Sequence, residues 1–267
     1  MSGLAESLFA TLFPADCRLC GAPLIKISRL PVCQDCLAAM QPIDGGLCST
    51  CGERLISPYA FGQEEEPLCG LCRRLAPPFA KAVAYGSYDG GLRELIHLLK
   101  YEQVRPAAAV LGRMLHEAME GLELAAGTIV VPVPLHSKKR RQRGFNQVDL
   151  IVQAAMRHES RSISVGLDVL ERQRETQSQI GLTSHQRREN MRGAFALVRP
   201  EKISGREVLL VDDVYTTGTT LSECAKVLKR AGASKVWVAT VARTLKLNVT
   251  FAEVDKQDKS LAMAAAG

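Results

Sequence analysis

The chain has 267 residues, 46% apolar and 23% charged, which is ordinary globular usage and excludes wholesale disorder. Its length allows one or two domains with a sizeable core, and no apolar run approaches the roughly 18 residues of a membrane span. The net charge of +6 is uneven: residues 1–80 hold six Lys/Arg and eight Asp/Glu, so the basic excess lies beyond them and suits an anionic ligand.

The start, Met1-Ser-Gly-Leu-Ala-Glu6, has no basic n-region. It predicts no cleaved signal peptide and a cytoplasmic chain. Residues 4–13 read as a short apolar helix stopped by Pro14. Eight of the nine cysteines then form four CxxC pairs: Cys17/Cys20, Cys33/Cys36, Cys48/Cys51 and Cys69/Cys72. In a cytosolic chain this spacing reads as metal binding rather than disulfides, and it supplies one or two structural four-cysteine zinc sites. Sequential pairing joins 17/20/33/36 and 48/51/69/72; cross-braced pairing joins 17/20/48/51 and 33/36/69/72. Each half opens in CxxCG and closes in a CxxC without that glycine, which favours the sequential arrangement. The stretch Arg73-Arg-Leu-Ala-Pro77-Pro78 marks a boundary. The expected units are a zinc module over 1–78, a second unit over 79–250 and a fraying tail over 251–267.

Past the boundary, strands and helices alternate. Strands are expected at 81–88, 128–131, 208–211 and 236–242. Asp89 is placed to cap a helix whose Leu92, Leu95, Ile96 and Leu99 fall at i, i+3, i+4 and i+7. Pro106 opens a second helix with a stripe through Ala107, Val110, Leu111, Met114, Leu115, Ala118 and Leu122. Val148, Ile151, Val152 and Ala155 mark a third helix, and 220–231 a fourth. Cys224, spaced with Leu221 and Leu228, reads as core. The alternation predicts an α/β domain with a mostly parallel sheet.

The sharpest motif runs from Val208 through Asp212 and Asp213 to Thr220. It places two acids and a Thr/Gly loop at the carboxyl end of a buried strand, where open α/β sheets bind ligands. Gly218 permits a tight phosphate cradle, and the amides of 216–220 face an anion. No lysine follows the glycine, so the loop is not of the Walker A type. Neighbouring carboxylates repel phosphate but accept hydrogen bonds from a sugar diol. A ligand with a 5′-phosphate and free 2′- and 3′-hydroxyls fits both halves. A second motif follows the strand 128–131: Pro132, Val133 and Pro134, then Lys138-Lys-Arg-Arg-Gln-Arg143, expected as a basic loop.

The run 208–220 resembles the signature of type I phosphoribosyltransferases, which bind phosphoribosyl pyrophosphate (PRPP). With the paired CxxC segments, Leu95-Ile-His-Leu-Leu-Lys100-Tyr101, Val131-Pro-Val-Pro-Leu-His136, Arg143-Gly-Phe-Asn-Gln147, and 174–179 with 188–195, the sequence resembles the ComF (competence protein F, GntX-like) family over about residues 5–245. The resemblance implies a type I phosphoribosyltransferase fold behind a double zinc ribbon. It implies that Asp212 and Asp213 hold the ribose hydroxyls and that Thr216, Thr217, Gly218, Thr219 and Thr220 bind the 5′-phosphate. Pro132, Val133, Pro134, Lys138 and Lys100 would take the pyrophosphate, with Mg²⁺ accompanying PRPP. Catalytic candidates are Asp212, Asp213, Lys100 and Arg188; Arg174, Gln179, His185 and Asn190 are further contacts in a mobile hood over 174–195. The implied reaction transfers phosphoribosyl to an unidentified amine or base with release of pyrophosphate. The family's link to DNA uptake leaves a second expectation: a PRPP-sensing protein without turnover that associates with single-stranded DNA or the uptake machinery.

Overall fold

The computed structural model describes residues 15–24, 28–55, 66–174 and 184–245, with the side chains of 184, 185, 187 and 188 outside that set. The helix expected over 4–13, Gln179 and the tail 251–267 lie outside the described residues.

Five strands form one parallel sheet in the order β1-β7-β6-β2-β3. They are β1 (Lys81–Ser87), β2 (Ile129–Pro132), β3 (Ser164–Val165), β6 (Glu207–Tyr215) and β7 (Lys235–Arg243). The four strands expected from apolar runs are all present. Val208–Val211 and Val236–Val238 are almost wholly buried, as strands covered on both faces must be. A separate antiparallel pair, β4 (Leu170–Arg172) and β5 (Phe195–Leu197), stands beside the sheet. β3, β4 and β5 were not expected, being too short to show a period.

Helices α3 (Gly90–Tyr101), α4 (Ala107–Glu120) and α6 (Gln147–Ala155) cover one face. Their stripes bury Leu95, Ile96, Leu99, Leu111, Leu115 and Ile151 completely. Each such side chain contributes about 1.5–3 kcal/mol. Helix α8 (Thr219–Arg230) and the β4/β5 pair cover the other face, with Cys224 fully buried among them. Burial pushes the Cys224 thiol well above its ordinary value, so it is a core side chain. Asp89 does occupy the N-cap of α3, but its carboxylate accepts from Ser87 Oγ (2.5 Å) instead of capping the helix.

The two cysteine segments repeat one design. The Cys17 and Cys48 amides donate to Ala22 O and Glu53 O, both at 2.8 Å. Gly21 and Gly52 close the knuckles at φ +75° and +69°. Cys33 and Cys69 then cap one-turn helices, α1 (Gln34–Ala38) and α2 (Gly70–Arg74). The segments dock on opposite faces. Cys17 joins the core of α3 and α4, whereas Cys48 and Cys51 join the core beneath α8.

Helices α4 and α6 meet at Gly112, where a Cβ would lie 2.5 Å from Ala154 Cβ and 2.8 Å from the Ala155 amide. Replacing Gly112→Ala is expected to push the helices apart and to destabilise the chain by about 1–3 kcal/mol despite alanine's better helix propensity. Urea unfolding checks this. A variant as stable as the wild type would show that the interface repacks freely.

Candidate functional site

Strand β6 delivers the 208–220 motif to the carboxyl edge of the sheet. Gly218 lies at φ +71° and is the N-cap of α8. A Cβ at 218 would also overlap the Tyr215 hydroxyl, so glycine is required twice over. The loop leads directly into a 12-residue helix whose first amides have no partner within that helix. Thr216 and Thr217 are exposed, and Thr219 is buried with its Oγ1 2.9 Å from Thr217 Oγ1. Backbone amides at a helix start, threonine hydroxyls and the positive end of the helix dipole are an arrangement that suits an anion.

The two acids sit at the base of this loop. Strand alternation sends them to opposite faces. Asp213 turns towards α3 and α6, where Lys100 Nζ donates to Oδ1 at 2.7 Å and Gln147 Nε2 donates to Oδ2 at 2.5 Å. The Gln147 carboxamide is itself oriented by Arg143. The Lys100 and Asp213 side chains are 13% and 7% exposed, so this is a buried, hydrogen-bonded ion pair. Removing one partner of such a pair costs about 3–5 kcal/mol, because the other charge is stranded. Burial opposes the Lys100 charge, yet Asp213 overrides it and holds the ammonium above the ordinary lysine range. Asp212 faces Arg172 and Cys224 and accepts from the Asp213 amide at 2.9 Å. Burial, reinforced by the neighbouring Asp213 charge, pushes its carboxyl up to about 7.

The turn after β2 continues the ladder, with the Val133 amide donating to Val211 O at 2.8 Å. Asn146 Nδ2 donates to Val133 O at 3.2 Å and to Asp149 Oδ1 at 2.7 Å, which fixes the turn. Pro132 and Pro134 line a cavity of about 220 Å³ with Arg140, Asn146, Asp149 and Arg172. The basic stretch is not the loop expected. It forms helix α5 (Ser137–Arg143), capped by His136 and closed by Gly144 at φ +80°. Lys138 is exposed on it.

The hood candidates divide. Arg174 donates to the carbonyls of Asn190 (2.9 Å) and Arg192 (2.8 Å), so its guanidinium ties the hood to itself. Residues Ser184–Met191 form helix α7, which carries Arg188 and His185, but both side chains lie outside the described residues. Gln147 had no role expected from sequence, and Arg143, expected in the basic stretch, instead orients Gln147. A glutamine has no charge to announce it; its only signal is a buried polar residue beside a helix start.

The sulfurs of Cys17, Cys20, Cys33 and Cys36 lie within 4.8 Å of one another, as do those of Cys48, Cys51, Cys69 and Cys72. The pairing is therefore sequential. Individual separations are 3.9 Å (Cys17–Cys36), 3.8 Å (Cys20–Cys33) and 3.6 Å (Cys51–Cys69). Tetrahedral zinc at about 2.3 Å from each sulfur spaces the sulfurs about 3.8 Å apart, so the donor sets fit the ion. Burial, with Cys48 and Cys69 close by, pushes the Cys51 thiol up to about 12. Such crowding disfavours four bare thiolates, and a divalent cation is what makes them tolerable.

A phosphoribosyl transferase domain profile matches residues 156–261, and a double zinc ribbon domain profile matches 8–80. The DNA utilization protein YhgH of Salmonella typhi is 34% identical over 238 residues, covering 87% of this chain and 98% of its own length. Competence protein F of Haemophilus influenzae is 33% identical over 228 residues, covering 79% and 96%. Among solved structures, an allosteric regulatory enzyme of purine biosynthesis aligns with 51% of this chain and 26% of its own, at 25% identity and a TM-score of 0.32.

The raised Asp212 carboxyl carries a pH signature. In the unfolded chain it ionises near its ordinary value of 3.8, but in the folded chain only near 7. The folded state therefore holds this proton more tightly, and the stability it brings is complete below about pH 4 and lost as pH rises through about 7. Asp212→Asn abolishes that loss. Its thermal midpoint relative to wild type is expected to rise between pH 5 and pH 8; a constant offset would show that Asp212 is ionised at both.

Proposed function

We propose, because the chain belongs to the competence protein F family, that the carboxyl edge of β6 binds PRPP as its Mg²⁺ complex. The zinc module over 1–78 and the phosphoribosyltransferase-like unit over 79–250 are the parts of this reading. The observation that carries it is the Asp213 carboxylate, clamped by Lys100 and Gln147 at 2.7 and 2.5 Å, immediately before the Gly218 anion cradle. The spacing suits one ligand with a phosphate at one end and a diol beside it.

In this reading the 5′-phosphate takes the amides of 216–220 and the threonine hydroxyls. Asp212 and Asp213 accept from the ribose hydroxyls across the end of the strand. The pyrophosphate lies over Pro132, Val133 and Pro134. Lys100 exchanges Asp213 for the pyrophosphate oxygens, with Lys138 and Arg188 as further cations. Mg²⁺ on the ligand supplies part of the charge neutralisation. A nucleophilic amine or base forms a bond to the anomeric carbon as the bond to the pyrophosphate oxygen breaks. The protein's share is to hold the ribose, to receive the negative charge that develops on the leaving group, and to keep out water.

The exposed basic face of α5, and relatives named DNA utilization protein and competence protein F, favour a second reading, PRPP sensing without turnover in a protein that meets DNA. Its signature is Mg-PRPP binding with no product from any amine offered, together with single-stranded DNA binding that weakens as salt rises.

Calorimetry with Mg-PRPP tests the first reading. Wild type is expected to bind. Asp212→Asn/Asp213→Asn is expected to lose about 100-fold or more in affinity, since each charged hydrogen bond contributes roughly 1.5–3 kcal/mol. No binding by folded, zinc-loaded wild type would overturn the assignment.

A further inference from the structure

Arg243 ends β7 directly opposite Tyr215 in the β6/β7 register, and the Thr244 amide donates to Tyr215 O at 2.9 Å. The Arg243 side chain is 3% exposed. Its guanidinium carbon stands 4.8 Å from the centre of the Tyr215 ring. Its Nη1 donates to the Cys51 carbonyl, and Nη2 donates to Glu53 Oε2 at 3.0 Å. One buried cation therefore joins the second knuckle to the strand end that carries the site.

The chain of contacts continues on both sides. At Gly52 a Cβ would lie 3.3 Å from Arg243 Nη1 and 3.1 Å from Ala82 O, so the knuckle glycine allows the arginine its approach. The Ala82 amide donates to Thr50 O at 2.7 Å, which ties the same knuckle to β1. On the other side the Tyr215 hydroxyl packs against Gly218, close enough that any side chain there would collide with it. The first knuckle makes no such bridge to Tyr215; its Arg18 pairs instead with Glu102 at the end of α3. A Cβ at Gly21 would meet nothing within 4 Å, and Cys20 is exposed.

We propose that the second zinc site is a positioning element for the phosphate loop, acting through Cys51, Arg243 and Tyr215 on Gly218, while the first site does not act on that loop. The functional half of this statement rests on the PRPP reading above. Zinc holds the Cys48–Cys51 knuckle in one conformation, so the Cys51 carbonyl stays where Arg243 needs it. Arg243 then holds the Tyr215 ring, and the ring holds the left-handed turn at 218. Arg243 and Tyr215 are positioning residues here, not catalytic ones. Loss of the second ion frees the turn and weakens phosphate binding without altering any group that touches the ligand.

The experiment compares full-length wild type, Cys20→Ser and Cys51→Ser, each assayed for zinc. Hydrogen exchange of the 216–222 amides and calorimetric Mg-PRPP affinity are the readouts. Cys51→Ser is expected to exchange these amides roughly tenfold faster and to bind Mg-PRPP roughly tenfold more weakly, a coupling of ordinary allosteric size. Cys20→Ser should lose its zinc yet match wild type in exchange at 216–222. Wild-type exchange at 216–222 in zinc-depleted Cys51→Ser overturns the proposal, as does an equal change in Cys20→Ser. Should Cys51→Ser fail to fold, Arg243→Lys decides. It keeps both zinc sites and the charge but loses the two-pronged bridge, so wild-type loop exchange in it also overturns the proposal. The exchange arm needs no ligand, so failure of wild type to bind Mg-PRPP would sink the PRPP reading and leave the coupling itself still measured.

Discussion

The Lys100–Asp213 pair is the interaction on which the arrangement of the site depends. A carboxylate this deeply buried is not tolerable alone. It requires a cation on the adjacent helix, and so fixes where α3 must end. Lys100 reaches it because Leu92, Leu95, Ile96 and Leu99 seat α3 against the sheet with its last turn over the carboxyl end of β6. Gln147 satisfies the second oxygen and in turn fixes the start of α6. Three elements thus converge on one side chain. In the proposed function, the bonds that keep Asp213 satisfied at rest are the ones the ligand would take over.

Around that pair the molecule divides its work by face. On one side α3, α4 and α6 supply bulk and the cation. On the other, the Gly218 turn opens α8, and Asp212, near Arg172 and Cys224, has its carboxyl pushed up to about 7. Each face also receives one cysteine knuckle, and they are not equivalent. The first packs beside α3. The second is set into the core below Tyr215 and reaches the site through Arg243. The segment that the sequence sets apart before Pro77-Pro78 is, in both of its halves, packed into the cores of the domain.

Much of this was legible in the sequence. The four main strands announced themselves as apolar runs, and the helical stripes placed α3, α4, α6 and α8. The 208–220 motif was placed correctly at the end of a buried strand leading into a helix, with Gly218 in the left-handed turn between them. The likeness of the CxxCG halves pointed to sequential cysteine clusters. What stayed hidden was hidden for physical reasons. Helix α5 is basic on almost every side, so it has no apolar face for a period to reveal; only Gly144, which ends it in a left-handed turn, betrayed it. β3 to β5 are two or three residues long. Gln147 and Arg243 act by where the fold puts them, one at a helix start and one at the end of an apolar strand. That Asp212 and Asp213 turn to opposite faces follows from strand alternation, but only once the strand is known to run through to Tyr215.

The most direct test of the central claim is a crystal structure of the zinc-loaded chain with Mg-PRPP. The account predicts the 5′-phosphate on the 216–220 amides, the ribose hydroxyls on Asp212 and Asp213, and Lys100 Nζ moved from Asp213 to the pyrophosphate. A ligand seated elsewhere, or a Lys100–Asp213 bond still at 2.7 Å with the ribose bound away from both acids, would contradict it.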